Sequence, residues 1–176
     1  MRKVVVFIAM SLDGFIADKV GGIDWLSGQD ETVETVDTYA AFIKDIDTIV
    51  MGWKTYEQIV TVLSPDAWPY AGLQTYVVTH RARVEEDGIL FTNTAPDVLV
   101  RKLREASGKD IWICGGASVI APLVQADLVD AYQLSVIPLL LGEGVRLFPQ
   151  RTHSLPLRLV QSACNNGILE VTYKRF

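Results

Sequence analysis

The sequence predicts an α/β protein built on one mixed sheet, parallel in the first part of the chain and antiparallel at its C-terminal edge. Two observations lead to this prediction. Up to Asp130, short apolar runs alternate with segments of helical periodicity, which is typical of parallel strands joined by right-handed helical crossovers. After Asp130, three strand-like segments follow one another without helices, and Asn165-Asn166-Gly167 is a hairpin signal between the last two.

The predicted strands of the first part are continuous apolar runs, as expected where both faces of a sheet are covered. They occupy residues 4–10, 49–51, 76–78 and 111–114. The strands of the second part are predicted at residues 131–138, 155–164 and 168–176. The run at 4–10 follows Arg2 and Lys3 and so resembles a signal peptide, but Asp13 comes soon after it and no small-x-small cleavage site is present. We therefore interpret it as a buried strand.

The predicted helices are four segments with apolar residues at helical spacing. Asp30 is placed to cap the first, whose apolar stripe is Val33, Val36, Ala40 and Ile43, and the second carries Trp53, Tyr56, Ile59, Val60 and Leu63. The third opens with a segment at 94–97 that resembles a capping box, and Gly108 closes it. The fourth covers residues 118–126, where Pro122 is expected near the first turn.

Composition narrows the class of protein. The chain has 176 residues, close to the usual size of one domain, and we predict a single domain over residues 1–176. The formal net charge of −5 argues against a nucleic-acid-binding protein, and no apolar run is long enough to span a membrane. Cys114 and Cys164 lie in apolar segments without the spacing of metal ligands, so we expect buried reduced thiols, a cytoplasmic location and no metal site.

The segment at 110–124 carries a motif suited to phosphate. A short apolar strand ends in Gly115 and Gly116, and a small-residue helix follows. Glycines admit a bulky anion close to the backbone, and the N–H groups at the start of a helix attract negative charge. An ordinary tight turn explains the two glycines about as well as a phosphate site does. The residues at the other strand ends help to distinguish these two interpretations.

Two further strand ends carry groups that bind anions. Gly52 ends the strand before the second helix, and Lys54 and Thr55 stand at the start of that helix, although a solvated lysine and a helix cap account for them too. The next strand is followed by a hydroxyl, an imidazole and a guanidinium, those of Thr79, His80 and Arg81. In an open sheet of this kind, ligands bind beyond the carboxyl ends of the parallel strands.

A glycine-rich loop follows the first strand. Residues 9–26 contain Gly14, Gly21 and Gly22, and then Trp25. Glycines give such a loop mobility, so that Trp25 either closes over a ligand or packs on the core. Asp13 in the same stretch either orients a substrate or forms a turn before Gly14.

These motifs together resemble one family. In order, S-L-D-G-F-I-A-D, D-W, M-G-W-K-T-Y-E, V-V-T-H-R and I-C-G-G-A-S-V resemble the dihydrofolate reductase superfamily. The P-x-x-x-G-x-G-x-x-L-F pattern at 138–148 is similar to the C-terminal reductase domain of the bifunctional riboflavin-pathway deaminase-reductase and to its stand-alone relatives. The resemblance covers nearly the whole chain, and it implies a three-layer αβα fold with NADPH as hydride donor.

The resemblance also implies which residues surround the cofactor and the substrate. The pyrophosphate would lie against Gly115, Gly116, Ala117 and Ser118, flanked by Cys114 and Val119. The adenosine-side phosphates would approach Gly52, Trp53, Lys54 and Thr55, and the 2′-phosphate and adenine would meet Thr79, His80 and Arg81. The nicotinamide would lie by Ala9, Ile16 and Ala17, and the substrate by Ser135, Asp13 and Trp25.

Two positions depart from the family pattern. Trp53 stands where Arg or Lys usually follows the glycine of M-G-x-x-T, which removes one expected charge from the 2′-phosphate site. The acid that faces the pterin in true folate reductases is matched by Asp37 only with the register off by one residue. Asp37 falls on the apolar stripe of the first predicted helix, either as a functional group or at the rim, and the proton donor stays open between Asp37, Asp13 and a bound water.

We therefore expect an NADPH-dependent reductase of a pterin-like or pyrimidine-like small molecule, similar to 5-amino-6-(5-phosphoribosylamino)uracil reductase. No zinc deaminase signature is present, so only the reductase half of the bifunctional protein is matched. One alternative is a nucleotide-binding module of the same fold without folate or riboflavin-pathway turnover, and a third possibility is an NADH-preferring reductase. We also expect a homodimer, because a monomer would partly expose the apolar run Val136, Ile137, Leu139, Leu140 and Leu141.

Overall fold

The computed structural model describes residues 1–30, 32–33, 37–85 and 88–176. Its strands are β1 (Val4–Ser11), β2 (Phe15–Ala17), β3 (Ile46–Gly52), β4 (Gln74–Val78), β5 (Ile89–Thr92), β6 (Asp110–Gly115), β7 (Ala131–Ile137), β8 (Val145–Arg146), β9 (Leu157–Asn165) and β10 (Ile168–Arg175). Its α-helices are α1 (Tyr39–Phe42), α2 (Trp53–Gln58), α3 (Pro96–Glu105) and α4 (Ala117–Gln125). A 3-10 turn, Ile43–Asp45, extends α1, and a π-helical turn, Ile59–Leu63, extends α2.

Eight strands form one sheet in the order β5-β4-β3-β6-β1-β7-β10-β9, and β2 pairs with β8 in a second sheet. In the large sheet, β10 runs antiparallel to both of its neighbours, and the other pairs are parallel. The predicted hairpin is confirmed, since Asn166 and Gly167 join β9 to β10 with φ values of 50° and 75°. Positive φ at both central residues is what a two-residue type I′ turn requires. The predicted mixed sheet is therefore confirmed.

Helices cover both faces of the sheet, which gives three layers. One core cluster joins α3 and α4 to the sheet, with Val6, Ile113 and Leu123 among its fully buried members. The other joins α1 and α2 to the opposite face and includes Phe42 and Trp112. Successive side chains of a strand point to opposite faces, so a strand covered on both sides carries apolar residues at successive positions. This explains the apolar runs 4–10, 49–51 and 111–114 within β1, β3 and β6.

The first predicted helix is wrong in its extent. Instead of capping a long helix, the Asp30 carboxylate accepts hydrogen bonds from the backbone N–H and the hydroxyl of Thr32, at 2.8 and 2.7 Å. Such local side-chain bonds compete with helix formation. The helix begins only at Tyr39, and Asp37 precedes it, accepting the N–H of Ala40 at 3.0 Å. Val36 of the predicted stripe lies outside the described residues.

Other details of the sequence prediction also need correction. Pro122 lies in the second turn of α4 rather than near its first, because the helix begins at Ala117. Cys164 is exposed on the edge strand β9, whereas Cys114 is half-buried, and both thiols are free. Within the predicted apolar run Ile137 is buried, Val136 and Leu141 are half-buried, and Leu139 and Leu140 are exposed. Strands β2, β5 and β8 were not predicted.

The described residues form neither a membrane-spanning helix nor a metal-binding cluster. None of the helices in this part of the chain combines the length and hydropathy that crossing a bilayer requires. Nor do the described residues bring three or more His, Cys, Asp and Glu side chains together in an arrangement that could hold a metal ion.

Candidate functional site

Three of the predicted anion-binding motifs meet at the carboxyl edge of the sheet. Strand β3 lies between β4 and β6, and all three run parallel. In this register Gly52 pairs with Val78, the residue before Thr79, and Met51 pairs with Gly115. The loops after these strands therefore leave the sheet side by side.

Glycines at these strand ends form a cradle between β3 and β6. A Cβ at Gly116 would lie 3.5 Å from Thr55 Oγ1, and one at Gly52 would lie 3.5 Å from Ser118 Oγ. Gly115 has a φ of 139°, in the region that favours glycine. We call the surface formed by Gly52, Thr55, Gly115, Gly116 and Ser118 the glycine cradle.

The start of α4 forms one wall of the glycine cradle. The Gly116 carbonyl accepts the N–H groups of Val119 and Ile120, at 3.0 and 3.1 Å. The first N–H groups of the nine-residue helix have no carbonyl partner within it, and its first turn contains no acidic residue. This end of α4 is therefore electropositive and suited to an anion.

The third strand end brings guanidinium groups to the same edge. Thr79 is buried, and its hydroxyl accepts the backbone N–H of Arg81 at 3.1 Å. The guanidinium carbon of Arg81 lies 4.7 Å from the centroid of the Trp53 ring, and that of Arg83 lies 4.6 Å from it. Arg83 was not identified from the sequence, because its contact is made across the fold. Lys54 and His80 are exposed at this edge.

The predicted nicotinamide and substrate residues lie farther along the sheet. Ala9 of β1 pairs with Ser135 of β7, and Ser135 pairs with Glu170 of β10. Paired residues share a face of the sheet, and this is the face of α1, because Phe7 on β1 stacks on Phe42. The Ser135 hydroxyl donates a hydrogen bond to Glu170 Oε2 at 2.9 Å.

Ala9, Ser135 and Glu170 thus form a row that ends in a carboxylate, which we call the Ala9 row. Glu170 was missed, because in the sequence it looks like a solvated residue of an alternating edge strand. Ile16 and Ala17 lie on β2, which pairs with β8, and both are half-buried.

Asp13 anchors two loops to each other. Its carboxylate accepts the hydroxyl of Ser11 at 2.6 Å, and the backbone N–H groups of Leu141 and Gly142 at 3.0 and 2.7 Å. These bonds, the one from Ser11 first, lower the pKa of Asp13 to about 2. Asp13 is therefore ionised at neutral pH and holds the loop after β7 against the loop after β1.

The loop at 18–30 is held by hydrogen bonds near both of its ends. The Gln58 side chain donates to the carbonyl of Gly21 at 3.2 Å, and Asn166 accepts the N–H groups of Gln29 and Asp30, at 3.0 and 2.9 Å. Trp25 is half-buried and its indole N–H donates to Gly22 within the same loop, at 3.2 Å. The loop therefore spans from α2 to the β9–β10 hairpin with Trp25 fixed in place. Asp37, which follows the loop, is exposed.

Cys114 packs against the core on the α1 and α2 face of the sheet. Trp112, two residues earlier on β6, belongs to the core of that face. Burial raises the pKa of the Cys114 thiol to about 12, against the opposing effect of a hydrogen bond with Tyr70, and burial also raises the pKa of Tyr70. A thiol that stays protonated is a poor nucleophile, so Cys114 serves packing beside the glycines.

The chain is similar to an uncharacterized bacterial protein and to a solved structure named for riboflavin biosynthesis. The uncharacterized protein YwjB of Bacillus subtilis is 38% identical over 160 residues, which cover 90% of this chain and 89% of YwjB. A protein from Shewanella sp. PV-4 named for riboflavin biosynthesis is similar with a TM-score of 0.83 and 31% identity, covering 99% of both chains.

More distant structures share the fold. The deaminase/5-amino-6-(5-phosphoribosylamino)uracil reductase of Thermotoga maritima is similar with a TM-score of 0.69 and 15% identity, over 99% of this chain and 57% of that one. Dihydrofolate reductase from Enterococcus faecalis, solved in complex with NADP(H), is similar with a TM-score of 0.64 and 19% identity, over 98% and 96% of the two chains. The fold is therefore that of dihydrofolate reductase, as predicted.

The family follows from the sequence match. The model of the RibD C-terminal domain matches residues 2–169, almost the entire chain. The chain belongs to the family of RibD C-terminal domains.

Proposed function

We propose that the protein is an NADPH-dependent reductase of a flat, nitrogen-containing heterocycle of the pyrimidine or pterin type. The observation that supports this most directly is the glycine cradle, with the open end of α4 on one side and two arginines on the other. These groups suit an anion such as a pyrophosphate, and they lie on the edge of the sheet where α/β folds bind nucleotides.

The residues of the cradle suit NADPH. Gly52, Gly115 and Gly116 carry no side chains, so phosphate oxygens could approach the backbone closely at these positions. The hydroxyls of Thr55 and Ser118 border the same space and are able to donate hydrogen bonds. When bound, NADPH supplies a hydride from its nicotinamide ring. The chain's own residues must fix that ring beside the substrate and exclude water from the space between them.

The Ala9 row is our proposed contact surface for the substrate. The small side chain of Ala9 leaves room for a flat ring, and the Glu170 carboxylate is an acceptor for ring or amino N–H groups. The Ser135 hydroxyl fixes the carboxylate by donating to it at 2.9 Å. Aminopyrimidines and pterins present such N–H groups along one edge, which supports this substrate class over a simple ketone.

Fewer groups are candidates for the proton donor to the substrate than the sequence alone suggested. With a pKa of about 2, Asp13 carries no proton near neutral pH. Asp37 is exposed and bonded to the start of α1 rather than projecting from the helix. We therefore propose a bound water as the immediate donor.

A nucleotide-binding module without turnover is the second candidate. It is favoured by the exposed position of Asp37, which leaves the pterin-facing acid of folate reductases unmatched on α1.

The experiment that separates the two candidates has two stages. NADPH binding is measured by calorimetry, and the oxidation of bound NADPH is then followed by absorbance with a panel of aminopyrimidines, pterins and simple ketones. The proposal expects binding, and oxidation with a heterocycle. Binding without oxidation by any compound would favour the module, and absence of binding would contradict both.

A further inference from the structure

We propose that Trp53 is a platform that holds Arg81 and Arg83 as a paired guanidinium site for the ribose phosphate of the cofactor, and that this pair sets a preference for NADPH over NADH. The inference rests on the proposed function and assigns the residues that recognise one end of the dinucleotide. It reverses the expectation that Trp53 weakens this site by removing a charge.

Arg81 and Arg83 both pack on the ring of Trp53. Both guanidinium carbons lie within cation–π distance of the same indole, at 4.7 and 4.6 Å from its centroid. Both side chains are exposed, and neither has a carboxylate partner in the described part of the chain, where the paired cations are Arg2, Lys19, Arg104 and Arg151. Two positive charges that have no carboxylate partner among the described residues are therefore concentrated on one ring, in a protein with a net charge of −5.

The Trp53 ring is fixed by its position and packing. Trp53 is the first residue of α2, directly after Gly52 of the glycine cradle. Its ring packs on Tyr56 with centroids 5.5 Å apart, and Tyr56 packs in turn on Phe91 at 5.3 Å. The indole Nε1–H of Trp53 is buried and has no acceptor among the described residues. The platform is thus rigid on the protein side and retains an unused donor.

This arrangement matches the chemistry of a phosphate monoester. A guanidinium stacked on an aromatic ring keeps its N–H edge free for two parallel bonds to phosphate oxygens. A phosphate monoester carries close to two negative charges at neutral pH and offers three acceptor oxygens, so it can engage two arginines at once. NADH has a neutral hydroxyl in place of that phosphate and gains little from either charge.

The test compares NADPH and NADH binding by calorimetry in wild type and four variants. Arg83→Ala removes one guanidinium, and Trp53→Leu removes the ring while both arginines remain. Trp53→Phe keeps an aromatic face without the indole N–H. Arg101→Ala removes an exposed arginine from α3, on the other face of the sheet, and is the matched control for net charge. The fragments 2′,5′-ADP and 5′-AMP repeat the comparison without the nicotinamide half.

We expect Arg83→Ala and Trp53→Leu each to weaken NADPH and 2′,5′-ADP by about ten- to a hundredfold. NADH and 5′-AMP should change less than about threefold, and Trp53→Phe should retain most of the NADPH affinity. Arg101→Ala should match wild type.

If wild type binds NADPH and NADH equally, or if Arg83→Ala and Trp53→Leu leave the preference unchanged, the platform is refuted while the proposed function stands. Equal loss for both dinucleotides also refutes it, since the residues would then act elsewhere on the nucleotide. If wild type binds neither dinucleotide, the proposed function fails and the inference fails with it.

Discussion

The substitution Gly116→Asp should separate the stability of the fold from its affinity for the cofactor. Gly116 is the N-cap of α4, with a φ of −86°, and an added Cβ would meet only Thr55 Oγ1, at 3.5 Å. Aspartate is among the preferred N-cap residues and differs from glycine there by a few tenths of a kcal/mol. We therefore expect a folded protein with a Tm within about 3 °C of wild type.

The effect of Gly116→Asp on NADPH binding should be large and unfavourable. A carboxylate at this position would face the pyrophosphate at about 4 Å, where two like charges repel by about 4 kcal/mol at an effective dielectric constant of about 20. Since each 1.4 kcal/mol is about a factor of ten in affinity, NADPH should bind roughly a thousandfold more weakly. Gly116→Ala adds the methyl group without the charge and should cost only about tenfold in affinity, as a control for size.

Thermal unfolding and calorimetric titration with NADPH measure the two quantities on the same samples. The reasoning is refuted if folded Gly116→Asp binds NADPH as wild type does, since the pyrophosphate would then lie elsewhere. A large fall in Tm would refute the claim that the fold tolerates the side chain. Equal losses in Gly116→Asp and Gly116→Ala would show that bulk, and not charge, excludes the cofactor.

Three further predictions follow from the same structure. The folded-state pKa of Asp13, about 2, lies below its ordinary value of 3.8, so the stabilisation from its carboxylate is complete above about pH 4 and is lost as the pH falls toward 2. Asp13→Asn should therefore flatten the Tm–pH curve between pH 4 and 2. If the variant and wild type lose Tm equally over this range, Asp13 does not anchor the loops. Turnover of 7,8-dihydrofolate should be weak or absent, because Asp37 is exposed ahead of α1; robust turnover that survives Asp37→Asn would defeat both this expectation and an acid role for Asp37. Light scattering should give a homodimer of twice the 19.5 kDa chain mass, because Leu140, Leu159 and Val160 are 70, 51 and 48% exposed. Leu159→Glu should yield a monomer, whereas the control Val62→Glu, on the π-helical turn, should leave the dimer intact. A monomeric wild type would overturn the prediction.

The parts of the fold that could be predicted are those where local pattern and tertiary structure agree. Strands β1, β3 and β6 are buried on both faces, so their apolar runs are unbroken in the sequence. The Asn166-Gly167 turn needs two positive φ values, which few other residue pairs adopt easily. The anion-binding motifs could be grouped because parallel strands present their carboxyl ends at one edge.

The parts that could not be predicted depend on contacts distant in the sequence, on local side-chain bonds that compete with a helix, or on strands too short to show a pattern. Asp30 fails to cap a helix because its carboxylate bonds to Thr32, while Asn166 holds its backbone from 136 residues away. Arg83 resembles any solvated loop residue until the fold brings it over Trp53. Glu170 becomes a candidate only because β10 lies beside β7, which places it against Ser135. Strands β2 and β8 are three and two residues long, too short for a periodic pattern.

A crystal structure of the protein with NADPH tests the central claim most directly. The account predicts the pyrophosphate in the glycine cradle, against Gly115, Gly116 and the start of α4, with the ribose phosphate at Arg81 and Arg83 and the nicotinamide beside Ala9. A dinucleotide bound at the opposite edge of the sheet, or a glycine cradle left empty at saturating NADPH, would contradict it.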